Sequence, residues 1–187
     1  MEALEAYFEK LGFEASARRR IASCFTRQVL EKDACFVQEG QVSLQLAFLE
    51  QGQFQYYSMS PAGEERTTYV ALPGTFMASL LSFLHELPAR EHIRALTPSV
   101  IWTLPKGSLL RLQQELPGFK DFYVGLLEWQ ICCIDKGRFD FITLTAEQRY
   151  EKLLREEPEM VRQVPLQYIA SMLGISPRHL SRLRAKF

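Results

Sequence analysis

Residues 164–187, VPLQYIASMLGISPRHLSRLRAKF, leave little freedom in how they fold. Leu166, Ile169, Ala170 and Leu173 recur at helical spacing, Gly174 ends that run, and Leu180 and Leu183 begin another. Ser176 suits an N-cap, and Pro177 suits the first helical position, where a missing N–H costs nothing. Ala170 is small enough for the second helix to cross the first, and Gly174 can take the positive φ of the turn. The spacing therefore predicts a helix-turn-helix. With Leu180 and Leu183 turned inward, Arg178, His179, Ser181 and Arg182 share the outer face, followed by Arg184 and Lys186. Such groups suit guanine edges and phosphates of double-stranded DNA. A plain helical hairpin with a solvated basic face is the alternative.

The charge distribution points the same way. The chain has 22 basic and 22 acidic residues, yet no acid follows Glu159. A polyanion is thus attracted by a local patch and not by the whole molecule. With 187 residues and 47% hydrophobic content the chain can fill one large domain or two small ones. The start, MEALEAYFEKLGF, has no cleavable apolar run, and no stretch reaches membrane-spanning length, so a cytoplasmic protein with no membrane partner is expected. Cys24, Cys35, Cys132 and Cys133 lack the spacing of zinc or iron–sulfur ligands. They are expected to be reduced, mostly buried and without metal, with a redox role for Cys132 and Cys133 as an alternative.

Ahead of the terminal unit, residues 2–24 suggest two short helices broken at Gly12. Residues 27–104 then change to short strand-like runs at 28–30, 35–38, 42–49, 53–59, 66–72, 92–96 and 100–104, separated by glycine and proline turns. This texture predicts an antiparallel sandwich or barrel, with an apolar helix inserted at 76–87. A short helix at 105–116 follows, ending before Pro117, and then a long one over about 118–141. The long helix is too apolar to be covered by one small roll, so a second copy is expected against Phe122, Leu126, Leu127, Trp129, Ile131 and Ile134. Thr145 and Gln148 form a capping-box pattern for a further helix that stops before Pro158. The domains are accordingly 1–143 and 144–187, and the class is α+β.

This order of parts resembles the cyclic-AMP receptor protein family, the Crp–Fnr regulators. The resemblance covers nearly the whole chain and is carried by ERTTYVALPGTF at 65–76, SFLHELPAREHIRAL at 82–96, LTAEQRYEKLLREEPE at 144–159 and QYIASMLGISPRHLSRLR at 167–184. It implies a cyclic-nucleotide-binding-like jelly roll, a long dimerisation helix and a bacterial transcription factor acting as a homodimer, with no enzymatic activity and no cofactor. It further implies RNA polymerase as a partner and a small-molecule effector held near Gly74, Thr75, Phe76, Leu81 and Arg90. By the same resemblance Arg178 and Arg182 fall where bases are read, and Gln167 and Ser176, at the two helix starts, where phosphates are held. The family's pocket turn carries a glutamate for the ribose, and a later arginine takes the cyclic phosphate. Here the turn reads Gly74-Thr75-Phe76, and the arginine is displaced by one position to Arg90, beside Glu91. A slip of one residue turns a strand side chain to the opposite face, which argues against a cyclic nucleotide as the effector.

Two other functions compete. A β-roll with histidines could hold a metal or small molecule in the cupin manner, but His85, His92 and His179 are scattered. A signalling adaptor, with the basic tail incidental, would bind a partner protein and no DNA.

Overall fold

The computed structural model describes residues 1–186. Helices α1 (Glu2–Lys10) and α2 (Ala15–Ser23) lead into strands β1 (Thr26–Leu30), β2 (Cys35–Val37), β3 (Gln45–Gln51), β4 (Phe54–Met59), β5 (Glu65–Ala71) and β6 (Phe76–Met77). Helix α3 (Leu80–His85), strands β7 (His92–Ala95) and β8 (Ser99–Pro105), and helix α4 (Lys106–Glu115) complete the roll. The long α5 (Phe119–Thr143) is followed by α6 (Ala146–Glu156), α7 (Pro158–Gln163), α8 (Leu166–Met172) and α9 (Pro177–Arg184). No described helix is long and apolar enough to cross a membrane.

The strands form two antiparallel sheets, ordered β1-β8-β3-β6 and β2-β7-β4-β5. Side-chain alternation explains how they stack. Leu46, Phe48, Trp102 and Leu104 face a core shared with α1, α2, α4 and the start of α5. Their neighbours Ala47, Leu49 and Ile101 turn the other way and meet Phe54, Ala71, Ile93 and Ala95 between the sheets. Period-two alternation thus splits each strand between two apolar layers, so the first sheet is covered on both faces and its strands read as apolar runs. Val70 and Leu96, on the outer face of the second sheet, join Tyr150, Met160, Ile169, Leu173 and Leu180 of the carboxy-terminal helices. Four layers result: helices, sheet, sheet, helices.

The seven expected strand regions all carry strands, although residues 42–44 lie outside β3 and the inserted helix spans only Leu80–His85. The short strand β6 and the helix α7 were not expected. Pro158 reads as a stop for α6, yet it occupies the first turn of α7, where proline is well placed. The capping box of α6 forms as its sequence predicts: Gln148 N–H donates to Thr145 Oγ1 at 3.2 Å, and Thr145 N–H donates to Gln148 Oε1 at 2.9 Å.

Candidate nucleic-acid interface

Helix α8 ends in a Schellman turn built on Gly174, whose φ is +70°. Ile175 N–H reaches back to Ala170 C=O at 2.9 Å, and Gly174 N–H reaches Ser171 C=O at 3.0 Å. A Cβ on Gly174 would stand 3.0 Å from the Phe141 ring, so this position is tight as well as left-handed. Ser176 then caps α9, its hydroxyl accepting from His179 N–H at 3.2 Å. Leu180 and Leu183 bury against Ile169 and Ala170. That burial leaves Arg178, His179, Ser181, Arg182 and Arg184 exposed, with Gln167 and Ser176 exposed at the helix starts. Among the described residues Arg178, Arg182 and Arg184 have no hydrogen-bond or ion-pair partner, so their guanidinium donors face solvent. Lys186 differs: its ammonium lies 2.9 Å from Glu147 on α6, which offsets its charge. The last residue, Phe187, lies outside the described residues.

Arg149 of α6 fixes this unit to the end of the long helix. Its guanidinium donates to Phe141 C=O at 3.2 Å, Leu144 C=O at 2.6 Å and Leu173 C=O at 2.8 Å, while lying over the Phe141 ring at 4.6 Å. It thereby satisfies carbonyls that helix ends leave open, and it places a cation at the negative end of α5 and of α8. Nothing in the local pattern of residues 144–157 marks this role, because the partners lie on other elements. An ion pair between Lys152 and Asp140 braces the same joint.

Along α5 the structure divides the expected dimer seam. Val124, Leu127, Ile131 and Ile134 lie on an outer stripe at alternating steps of three and four, and Phe141 lies seven residues beyond Ile134 on the same stripe. Ile131 is 65% exposed and Ile134 54%. Phe122 and Leu126 instead pack on the chain's own roll, against the core of Phe8 and Phe119, and Trp129 points away from the stripe. The expectation for Phe122 and Leu126 is therefore corrected, because α5 has two apolar faces and theirs meets the roll, whereas Trp129 is 54% exposed beyond it. Cys132 is exposed and Cys133 half-buried, and all four cysteines are free thiols. Their expected burial is not what the structure has.

The expected effector residues also separate. Gly74, Thr75 and Phe76 line a hollow of about 560 Å³ between α1 and α5, outside the roll. Leu81 is exposed and takes no part in it. Arg90 points to solvent, and its carbonyl accepts from the Ser58 hydroxyl at 3.0 Å. The half-buried side chain next to it is Glu91, bonded to Ser79, and burial pushes its carboxyl above the usual range. Between the sheets the space is filled by Phe54, Met77, Ile93 and their neighbours. Among the described residues no group of three histidine, cysteine or acidic side chains could hold a metal ion.

Residues 27–115 match the cyclic nucleotide-binding domain family. None of the curated proteins matches the chain. Solved structures do. A CooA variant from Carboxydothermus hydrogenoformans superposes with a TM-score of 0.73 at 18% identity, covering 96% of this chain and 82% of that one. The c-di-GMP responsive global regulator CLP of Xanthomonas campestris gives 0.71 at 16% identity, over 92% of this chain and 91% of that one. Catabolite activator protein of Thermus thermophilus gives 0.61 at 19%, over 94% and 84%. The chain thus shares the fold of these transcription regulators, and its residues 27–115 match the cyclic nucleotide-binding domain family.

Proposed function

We propose that this chain is a DNA-binding transcription regulator that works as a homodimer, each copy laying α9 in the major groove. The observation that carries the reading is α9 itself, on which Arg178, Arg182 and Arg184 stand exposed and unpaired among the described residues. A guanidinium left without a carboxylate keeps its full fork for guanine O6 and N7 or for phosphate. Gln167 and Ser176 set register on the backbone, His179 and Ser181 lie between the arginines, and Lys186 contributes less because Glu147 competes for it. The exposed Val124, Ile131, Ile134 and Phe141, with the half-buried Leu127 among them, supply the pairing surface, so that two such units meet one duplex.

Titration of the protein with a random-sequence duplex at 50 and 200 mM salt tests this. Affinity is expected to fall steeply, with log K declining by about 0.9 per contacted phosphate for each decade of salt. On a duplex selected for tight binding, Arg182→Ala is expected to cost about 1–3 kcal/mol while the melting temperature holds, since the side chain is exposed. Salt-independent binding, or a variant that binds the selected duplex as tightly as the parent, counts against the assignment.

A further inference from the structure

On the side of α5 that faces away from the Ile131 stripe, the hollow of about 560 Å³ has a distinctive chemistry. Its size falls within the range of small-molecule sites. Rings of Tyr7, Phe13, Phe76, Phe122 and Trp129 line it, and the carboxylate of Asp121 is its one charged side chain. Asp121 forms no ion pair among the described residues, and the Tyr7 hydroxyl likewise has no partner there. Trp129 precedes Ile131 by two residues, about 200° round the helix, so pairing of two copies along the stripe leaves the hollow open.

Gly125 adds an independent observation. It sits inside a 25-residue helix, and a Cβ built on it would meet nothing within 4 Å. Glycine in a helix interior costs about 1 kcal/mol against alanine, and here no close neighbour calls for it. Residues 121, 125 and 129 are four apart and share one helix face. A larger side chain at 125 would therefore enter the hollow between Asp121 and Trp129. Gly125 keeps that volume free.

We propose that this hollow binds a small organic cation, an aromatic or branched apolar body carrying an amine or quaternary ammonium group. Aromatic faces attract a cation through their quadrupoles, and an unpaired carboxylate adds to that attraction. No lysine, arginine or histidine lines the hollow to receive a phosphate or carboxylate, so an anionic nucleotide is disfavoured there. The site lies outside the space between the sheets, and its occupancy is read without DNA. Loss of the regulator reading and loss of this one are thus separate results.

Calorimetric titration of the full chain with benzyltrimethylammonium, alongside 3-phenylpropionate as the anion of similar size, tests the assignment. The cation is expected to bind saturably and to change tryptophan fluorescence, a change that Trp129→Phe removes, and the anion to do neither. Asp121→Asn is expected to weaken binding about tenfold, and Gly125→Leu to abolish it while the melting temperature does not fall. No saturable binding of the cation, equal binding of the anion, or unaltered binding by Gly125→Leu would overturn the proposal. Asp121 is exposed, so its variant remains a test even where the leucine variant fails to fold.

Discussion

Glu91 shows how one substitution reshapes a site. Its carboxyl is half-buried beside Ser79, and burial raises its pKa above the ordinary 4.5, with the Ser79 hydroxyl pulling in the opposite direction. A carboxyl whose folded pKa is raised contributes most below the unfolded value, and that contribution is lost as pH rises through the folded pKa. Folding stability is therefore expected to fall from pH 4 upward for this group, and Glu91→Gln to reduce the fall, as denaturant melts at pH 4 and pH 7 would show. Equal pH dependence in both proteins would place Glu91 in contact with water in solution. At this scale the sequence was legible where spacing decides orientation. Leu180 and Leu183 turn Arg178 and Arg182 outward, whereas Arg90 is exposed in a bend ahead of β7, where strand alternation does not apply. It was silent where distance in the chain is large: the Lys186–Glu147 pair spans 39 residues and follows only from how α9 lies on α6.

The long helix is the element on which function turns, since one face must hold the roll and another a second copy. Apolar content alone cannot separate those faces, because Phe122, Leu126 and Trp129 are as apolar as Ile131. The separating signal was present in the sequence as the heptad steps from Val124 through Leu127, Ile131 and Ile134 to Phe141, with Arg138 inside the series. Each seven-residue repeat of such a seam buries two large side chains per copy, and a charge in its middle would be buried unpaired. Ile131→Asp is therefore expected to give a monomer in sedimentation, whereas Trp129→Ala leaves the dimer intact. A dimer that survives the aspartate, or one lost with the alanine, would move the seam to the other face. Proline misled the reading of the neighbouring elements for a related reason. The same residue that ends one helix opens the next, and only the chain geometry at Glu157, with φ −133° and ψ 58°, separates α6 from α7.

Across the whole molecule, the boundary drawn near Leu144 separates sequence patterns more cleanly than it separates cores. Val70 and Leu96 belong to the roll by chain position and to the carboxy-terminal helices by packing. The reason lies in β5, an edge strand of the second sheet whose outward N–H groups need partners or cover. Helix α8 lies along it, and Thr67 N–H donates to Ser171 Oγ at 2.9 Å. Behind that bond Gln55 Nε2 donates to Thr67 Oγ1 at 2.9 Å, and Arg94 donates to Gln55 Oε1 at 2.8 Å while also gripping Glu65. A polar chain thus runs from β7 through β4 and β5 into the first helix of the terminal pair. No local pattern announces it, because 104 residues separate Thr67 from Ser171. Removing the hydroxyl leaves a buried donor unpaired, at about 1–3 kcal/mol. Ser171→Ala is accordingly expected to speed hydrogen exchange at the Thr67 amide by roughly tenfold or more, while amides of β4 that bond to β7 keep their protection. An unchanged rate at Thr67 would mean that α8 stands off β5 in solution, and that the terminal pair is tethered to the roll through α5 and the Arg149 joint alone.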